Sequence, residues 1–351
     1  MRILHVSSGN LYGGIETLLR TLGEHRHLCP EMQQHFAPCF KGRLYSELRA
    51  LGAAVDLLGE VRVRKPLSIR KARQALRASL FERKIDVAIC HGPGSYSVFA
   101  PAIRAAGSAL AFWAHGIHSG RHWLERWAKR TIPDVLIANS RFTAASLRCL
   151  FPKMEAEVVY CPIAPPQIAH RAEVRRRVRR ELNTGDEATV IVQVSRMESW
   201  KGQITHLRAL GRLKDLNNWV CWQVGGAQRG DELDYLNHLQ ALARQLGIHD
   251  RVRFVGQRSD VHCLLSAADI HCQPNDGPEP FGITFIEVLY AGLPVVTTDI
   301  GAAREIIIPS CGTLVPAGDV VELSKALGEM IQDSSLRRGL GKAGPDRARE
   351  L

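Results

Sequence analysis

The sequence predicts an α/β protein made of two doubly wound parallel-sheet domains. Short β-branched runs alternate with helical segments along the chain, and apolar strands separated by helices are typical of parallel sheets covered on both faces. The length of 351 residues exceeds what one hydrophobic core usually supports. A proline-rich connector, "CPIAPPQIAH" at 161–170, divides the series into two halves.

The strands of each half are predicted from their β-branched and apolar runs. In chain order these runs are "RILHVSS", "AAVDLLG", "VAICHG", "LAFWAHG", "VLIANS", "EVVYCP", "TVIVQVSR", "WVCWQVGG", "VRFVG", "IHCQP", "PVVTTD" and "GTLVP". We therefore expect about six strands in each domain, with domains at 1–165 and 166–351. Ligands of such sheets bind beyond the carboxyl ends of the strands, and two facing sheets would form a cleft.

Composition and net charge limit the partners and the cellular compartment that the sequence predicts. The net charge of +11 would attract nucleic acid or an anionic membrane. The cations are spread over several helices without a nucleic-acid-binding motif or a base-stacking platform, so no nucleic acid is expected. The nine cysteines contain no CxxC pair, which indicates neither a disulfide framework nor a zinc site. The apolar run in "MRILHVSSG" is too short for a signal peptide, and no transmembrane segment is expected. We predict a cytoplasmic protein.

A glycine-rich turn follows the first predicted strand. In "SSGNLYGGIETLLRTL", Gly9, Gly13 and Gly14 precede an amphipathic helix. Such glycines let backbone amides approach an anion at a helix N-terminus. A tight packing turn explains the segment equally well. The spacing is not GxGxxG, so the fingerprint of an NAD-dependent oxidoreductase is missing.

Two cations share the loop that follows the first strand of the second half. In "VIVQVSRMESWKGQ", Arg196 ends the strand and Lys201 precedes a helix. Two cations that reach one small region can clamp a diphosphate. Taken alone, the segment is better explained as a solvated loop with two ordinary basic residues.

Two glutamates stand in the apolar segment "NDGPEPFGITFIEVLYAGLPVV" at 275–296. A helix is predicted from Gly282 to Tyr290, with the amides of its first turn free to face an anion. At a rise of about 1.5 Å per residue, Glu279 and Glu287 would be about 12 Å apart. Paired glycosidase carboxyls are closer than about 10 Å. We therefore expect the two acids to contact different parts of one extended ligand.

These segments resemble the retaining GT-B glycosyltransferases of family 4. The resemblance is carried by "VSRMESWKG", by the E-x7-E element of Glu279 and Glu287 with "EPFG" and "AGLPVV", and by "GTLVPAGD". "GGIE" at 13–16, "HG" at 115–116 and "IANS" at 137–140 match the family's first half more loosely. The resemblance covers almost the whole chain and implies two Rossmann-like domains facing a cleft.

The resemblance also implies how a nucleotide-sugar donor, with UDP or GDP as its nucleotide, would be held mainly by the second domain. Arg196 and Lys201 would bind the diphosphate. Glu287 would accept hydrogen bonds from the ribose hydroxyls, and Glu279 would hold hydroxyls of the transferred sugar. No metal site and no separate cofactor are implied.

Backbone positions complete the implied donor site. The backbone of Phe281, Gly282 and Ile283 would contact the sugar and phosphate, and Gly13 and Gly14 would let the first domain approach the diphosphate. The sequence departs from the family after the second glutamate and in "IGAARE" at 300–305. These departures bear on the placement of the sugar. Relatives commonly continue past "DRAREL" into a helix that crosses back to the first domain, and the sequence leaves truncation open.

The implied reaction transfers a hexose with retention to a glycan, lipid-linked or small-molecule acceptor. His115 matches a family histidine near the sugar and acceptor, although an ordinary surface or core histidine is the simpler reading of that residue alone. The departing phosphate would take the acceptor's proton. The alternatives are an inactive nucleotide-sugar-binding protein of this fold and a sugar phosphorylase, for which no pyridoxal-anchoring lysine is evident.

Two basic segments raise the question of membrane contact. "SIRKARQALRASLFERK" at 68–84 is a cationic predicted helix, and "RHWLERWAKR" at 121–130 places two tryptophans four residues apart. Cations with interfacial tryptophans can seat a protein on anionic lipid, here the inner face of the membrane. Packing of the tryptophans on the sheet and solvation of the arginines, including those at 171–180, explain each segment more simply.

Overall fold

The structure is a computed structural model, and it describes residues 1–9, 13–227 and 230–351. These residues form two compact units, Met1–Ala164 and Pro165–Leu351, which we call domain 1 and domain 2. The division lies inside the proline-rich connector, between residues 164 and 165, where the sequence placed it between 165 and 166. Each domain is a parallel sheet covered by helices, and the predicted α/β fold class is confirmed.

Domain 1 contains a seven-stranded parallel sheet of order β3-β2-β1-β4-β5-β6-β7. Its strands are β1 Arg2–Ser7, β2 Gln33–Pro38, β3 Ala54–Val55, β4 Val87–His91, β5 Ala109–Ala114, β6 Val135–Ala138 and β7 Glu157–Val158. Its helices are α1 Gly14–Glu24, α2 Arg43–Ala50, α3 Pro66–Glu82, α4 Gly92–Ala106, α5 Trp123–Ala128 and α6 Arg141–Leu147. The central strands β1, β4 and β5 are buried along nearly their whole length, as expected for strands covered on both faces.

Domain 2 contains a six-stranded parallel sheet of order β10-β9-β8-β11-β12-β13. Its strands are β8 Thr189–Val194, β9 Trp219–Val224, β10 Val252–Gly256, β11 Ile270–Gln273, β12 Val295–Thr298 and β13 Gly312–Val315. Its helices are α7 Arg171–Glu181, α8 Gln203–Gly211, α9 Gly230–Gln245, α10 Val261–Ala267, α11 Ile283–Ala291, α12 Ala303–Ile306, α13 Val320–Gln332 and α14 Ser334–Arg349. The neighbouring strands β8 and β11 are the two whose carboxyl-end loops matter below.

Two arginines of α7 are structural rather than solvated. Arg175 and Arg179 both pair with Asp269, at 2.7 and 2.6 Å. Arg179 is almost fully buried and also donates to backbone carbonyl oxygens near the start of β8. The sequence treated the whole 171–180 cluster as a solvated or membrane-facing helix, which is wrong for these two residues. Their guanidinium groups neutralise the half-buried Asp269 carboxylate and satisfy carbonyls that would otherwise lack donors.

The nine cysteines are all free. None of the helices in the part of the chain that the structure describes is long and apolar enough to cross a membrane.

Candidate functional site

Lys201 lies on the short loop between β8 and α8, and the backbone of this loop is held closely. The Gln193 side-chain amide donates to the Lys201 carbonyl oxygen at 2.8 Å. Gly202 follows with a φ of +72°, and a Cβ there would lie 1.7 Å from the Pro274 carbonyl oxygen. Only glycine permits that contact and that backbone conformation together. The β8 loop is therefore locked against the loop that follows β11.

The Lys201 ammonium forms a largely buried ion pair with Glu279. Lys201 Nζ and Glu279 Oε2 are 2.6 Å apart, with side-chain exposures of 13% and 10%. The side-chain amides of Asn275 and Gln273 donate to the same oxygen at 3.1 and 3.3 Å. Three donors on one carboxylate oxygen fix its position, as a preorganised polar site requires.

The backbone of Glu279 is anchored as firmly as its side chain. Glu279 forms an isolated parallel bridge with Gly301, and its carbonyl oxygen accepts from Ala302 N at 2.8 Å. A Cβ on Gly301, which has a φ of +67°, would lie 2.5 Å from the Glu279 backbone nitrogen. Gly301 is the one glycine that this chain keeps where the family usually has two. The close approach to Glu279 explains why a glycine is needed at this position.

The residues after Glu279 lead into α11. Phe281 is buried, Gly282 caps the helix, and Ile283 is its first residue. The sequence predicted a helix from Gly282 to Tyr290. Glu279 lies outside this helix, so the helical rise used for the separation of the two glutamates applies only from Ile283 onward. The first-turn amides of α11 are the donors that a helix cannot satisfy internally.

Arg196 also has an acidic partner. Its guanidinium lies 2.8 Å from Glu198 Oε1, and the Trp200 indole nitrogen donates to Glu198 Oε2 at 3.0 Å. Lys201 Nζ lies 3.9 Å from the centre of the Trp200 ring. The interpretation as a solvated loop with two ordinary cations is wrong for Lys201, which is largely buried, paired with Glu279 and in contact with an aromatic ring. Arg196 is 38% exposed, and its pair with Glu198 is compatible with that interpretation.

Glu287 differs from Glu279 in having no counterion. It lies within α11 and is half-buried, and burial raises the pKa of its carboxyl to about 7. No hydrogen bond or ion pair to its side chain is found within residues 1–9, 13–227 and 230–351. A carboxylate with open acceptor sites suits a ligand that brings its own hydroxyl donors.

The glycine-rich turn of domain 1 is only partly described, because residues 10–12 lie outside the described residues. Gly13 caps α1, which begins at Gly14. The Gly13 amide donates to Glu16 Oε2 at 3.0 Å. A protein carboxylate therefore occupies one amide that the sequence assigned to a diphosphate. The predicted role of Gly13 and Gly14 stays a prediction.

His115 follows β5 and is joined to two other histidines of domain 1. His115 Nε2 is hydrogen bonded to His91 Nδ1 at 2.9 Å, and His91 Nε2 to His5 Nδ1 at 3.0 Å. His5 and His91 are buried, whereas His115 is half-buried. Burial lowers the pKa of His5 to about 4 and that of His115 to about 3, the latter helped by His118, and it also lowers the pKa of His91 well below its ordinary value.

Sequence reasoning missed several residues that support the predicted ones. Asn275 and Gln273 hold Glu279, and Glu198 holds Arg196. His5 and His91 were unassigned, although "CHG" at 90–92 repeats the strand-end histidine and glycine of "HG" at 115–116. Among the described residues, no group of three or more His, Cys, Asp or Glu side chains is placed to hold a metal ion.

Comparison with known proteins identifies the class to which this fold and site belong. Residues 12–166 match the family model Glycosyltransferase Family 4, and residues 174–347 match the model Glycosyl transferases group 1. The chain therefore belongs to the group 1 glycosyltransferases, which confirms the resemblance to that extent, and the retaining mechanism stays a prediction. The two matches together cover both domains.

Curated relatives resemble parts of the chain. Phosphatidyl-myo-inositol mannosyltransferase of Mycobacterium leprae is 36% identical over 124 residues, 34% of this chain and 32% of that protein. D-inositol 3-phosphate glycosyltransferase of Salinispora tropica is 29% identical over 239 residues, 62% of this chain and 48% of that protein. The chain spans about half or less of the length of the curated relatives it matches.

Solved structures share the fold over the whole chain. The Anabaena HepE structure in complex with UDP aligns with a TM-score of 0.85 at 22% identity, over 100% of this chain and 95% of that one. A glycosyltransferase from Rickettsia africae aligns with a TM-score of 0.86 at 19% identity, over 99% and 93%. At these identities the similarity shows the GT-B fold.

Proposed function

We propose that this protein is a retaining glycosyltransferase that transfers a hexose from a UDP- or GDP-sugar to a glycan, lipid-linked or small-molecule acceptor. The observation that carries the proposal is the buried Lys201–Glu279 pair at the carboxyl ends of β8 and β11. It places a cation and a fixed carboxylate side by side where ligands of parallel sheets bind. The UDP-bound structure of HepE, which has the same fold, supports a nucleotide donor.

In this proposal, each charged group of domain 2 serves one part of the donor. Lys201 and Arg196 hold the diphosphate, Glu279 the hydroxyls of the sugar, and Glu287 the hydroxyls of the ribose. The backbone from Phe281 to Ile283 leads into the first turn of α11, where helix N-terminal amides can face an anion. Glu279 already accepts hydrogen bonds from three protein groups, so it is positioned before the sugar arrives.

The proposed reaction breaks the bond between the anomeric carbon and the diphosphate oxygen. A bond from the acceptor oxygen to the same carbon forms on the face that the diphosphate leaves. The acceptor's proton passes to a departing phosphate oxygen, and no separate cofactor is required. Lys201 and Arg196 stabilise the negative charge that grows on the diphosphate. His115 contacts the transferred sugar or the acceptor.

A donor panel followed by product analysis tests this proposal. UDP-, GDP- and ADP-sugars are screened by thermal melting, and a donor at 100 times its Kd should stabilise the protein by about 2.7 kcal/mol. The product of the stabilising donor is then examined by NMR for the configuration of its anomeric carbon. We expect the configuration of the donor to be kept. An inverted product would contradict the retaining assignment. Binding without transfer to any acceptor class would favour an inactive nucleotide-sugar-binding protein.

A basic surface of domain 1 favours a lipid-linked acceptor at an anionic membrane. We define this basic surface by the residues that line two adjoining grooves beside α3 and α5: Arg62, Val63, Arg64, Lys65, Pro66, Ile69, Arg70, Arg73, Gln74, Arg77, Trp123 and Trp127. Trp123 and Val63 are exposed, as is the neighbouring Leu67. Exposed apolar side chains among cations are the pattern of an interfacial membrane site.

Vesicle binding tests this part of the proposal. The double substitution Arg70→Glu and Arg77→Glu should weaken binding to phosphatidylglycerol vesicles by about 2 kcal/mol or more, since each basic residue near the surface contributes about 1 kcal/mol. Arg176→Glu with Arg177→Glu is the matched control, because these exposed arginines of α7 lie in domain 2. Equal loss in both pairs would show a dependence on net charge alone, and no loss in the first pair would remove the basic surface from the proposal.

A further inference from the structure

The chain of His5, His91 and His115 crosses three neighbouring strands of domain 1. β1 pairs with β4, and β4 pairs with β5. His5 lies within β1, His91 ends β4, and His115 follows β5. Each link is of ordinary hydrogen-bond length, 3.0 and 2.9 Å. The chain thus connects a buried strand residue to the half-buried ring for which the sequence predicted a site role.

All three rings are neutral at neutral pH. Burial lowers the pKa of each imidazole, because the charged form loses hydration that nothing replaces. A neutral imidazole has one N–H donor and one bare nitrogen acceptor. Each link therefore requires a proton on one of its two nitrogens and none on the other.

Only two proton arrangements satisfy both links. In the first, every ring carries its proton on Nδ1, so that His5 donates to His91 and His91 donates to His115. In the second, every ring carries its proton on Nε2, and both links reverse. Any mixture leaves two protons or two lone pairs facing each other in a buried site. The tautomer of His5 therefore sets the tautomer of His115.

The ends of the chain leave both arrangements available. Among the described residues, no hydrogen-bond partner for His5 Nε2 is found. This nitrogen is also not one of the buried side-chain atoms that lack a partner, so water can satisfy it with or without a proton. With the proton on Nδ1 of each ring, the outward nitrogen of His115 is a donor, and with the proton on Nε2 of each ring it is an acceptor.

We propose that His5 and His91 are positioning residues that hold His115 in one tautomer, so that His115 presents a fixed hydrogen-bonding group to a hydroxyl oxygen of the bound sugar or acceptor. The identity of the ligand rests on the proposed function, whereas the coupling of the three tautomers does not.

The proton positions are measured directly by NMR on the full chain with 15N-labelled histidine. Long-range 1H–15N correlations distinguish the two tautomers of each ring, and single His→Phe variants assign the signals. We expect His5, His91 and His115 all to carry the proton on the same nitrogen, either Nδ1 in all three or Nε2 in all three. Different tautomers within the chain, or free exchange in any of the three, would overturn the coupling.

Substitution of His91 separates positioning from packing. His91→Phe removes both links and keeps an aromatic ring. We expect His115 to exchange between tautomers and kcat to fall about tenfold, because the productive tautomer is then present only part of the time. The affinity for nucleoside diphosphate should be unchanged. His91→Asn retains an amide group near the position of Nδ1, which can donate to His115 or accept from it, and should recover most of the turnover.

His35→Phe is the matched control. His35 lies on β2 of the same sheet and takes no part in the chain. The same exchange there should change neither the tautomer of His115 nor kcat. Equal effects of His91→Phe and His35→Phe would overturn the proposal. If His91→Phe does not fold, His91→Asn with its His115 tautomer decides instead. Should no donor support turnover, the proposed function fails, and the tautomer spectra still test the chain.

Discussion

The carboxyl edges of the two sheets carry opposite chemistry. In domain 1, three imidazoles are joined in a row and are neutral, because burial lowers each pKa and no acid lies in the row. In domain 2, the corresponding edge holds a lysine and a glutamate at 2.6 Å, both charged and both largely buried. The same position in a parallel sheet thus supports either a neutral or an ionic site. What decides is whether the neighbouring loops supply a counterion.

The difference matters for the reaction proposed above. A departing diphosphate needs cations that stay charged while buried, and the pairing of Lys201 with Glu279 provides this. A group that only orients a hydroxyl needs a fixed dipole, which a neutral imidazole supplies. Removing a charged side chain from the edge of the domain 2 sheet should therefore abolish sugar transfer. Altering the histidines at the edge of the domain 1 sheet should only lower the rate of transfer.

The largest expected effect is that of removing the cation of the ionic edge. Lys201→Ala should lower turnover by about 10²–10³-fold, since it deletes a group that stabilises the leaving diphosphate. It should also lower the free energy of unfolding by about 3 kcal/mol, because Glu279 is left buried and unpaired. Steady-state kinetics and denaturant unfolding measure the two effects.

A double variant separates these two losses. Adding Glu279→Gln to Lys201→Ala removes the unpaired charge, so stability should recover while turnover does not. Lys214→Ala, an exposed lysine beyond the end of α8, is the control for removing a cation of domain 2. If stability and turnover recovered together in the double variant, Lys201 would have only a structural role.

The loop beneath the ionic edge should be intolerant of a single methyl group. Gly202→Ala places a Cβ 1.7 Å from the Pro274 carbonyl oxygen, so the two loops must separate. Gly247→Ala meets the same left-handed backbone strain, at a φ of +70°, but has open space around it. We expect about 1–2 kcal/mol from the strain alone at Gly247 and a clearly larger loss at Gly202, measured by denaturant unfolding. Equal losses would contradict the close approach of the loops.

The acid without a counterion should make donor binding depend on pH. The raised pKa of Glu287, about 7, means that the folded protein holds a proton that the unfolded chain releases near its ordinary value. Its contribution to stability is therefore present at low pH and is lost as pH rises from about 4.5 through 7. Ribose hydroxyls favour the carboxylate form, so nucleotide affinity should rise with pH through this range.

The expected slope is at most about tenfold in affinity per pH unit below 7, with a plateau above it. Calorimetric titration with nucleoside diphosphate at about six pH values between 5.5 and 8 measures this dependence of affinity on pH. Glu287→Gln removes the protein's titration and leaves that of the ligand's phosphate, so the difference between the two curves isolates the carboxyl. Parallel curves would remove Glu287 from the nucleotide site.

Much of the fold could be predicted from sequence because its strands are continuous apolar runs. The strand β2, "QQHFAP", was missed because it begins with polar residues, has no β-branched residue and ends in proline. Its place between β1 and β3 is fixed by pairing rather than by propensity. The sequence consequently predicted about six strands where domain 1 has seven.

Only the site residues that belong to a sequence motif could be predicted from the sequence. The E-x7-E element led to Glu279 and Glu287, but the pairing of Lys201 with Glu279 joins residues 78 positions apart and has no local signal. The histidine chain likewise depends on strand order, which brings β1, β4 and β5 together. Contacts of this kind follow from topology, so they become visible only once the sheets are assembled.

A structure of the full chain with a bound nucleotide-sugar is the most direct test of the donor site. We expect Lys201 Nζ within hydrogen-bond distance of a phosphate oxygen, the ribose hydroxyls on Glu287 and a sugar hydroxyl on Glu279. A nucleotide-sugar bound away from the carboxyl ends of β8 and β11, with the Lys201–Glu279 pair unchanged, would contradict the assignment of this edge as the donor site.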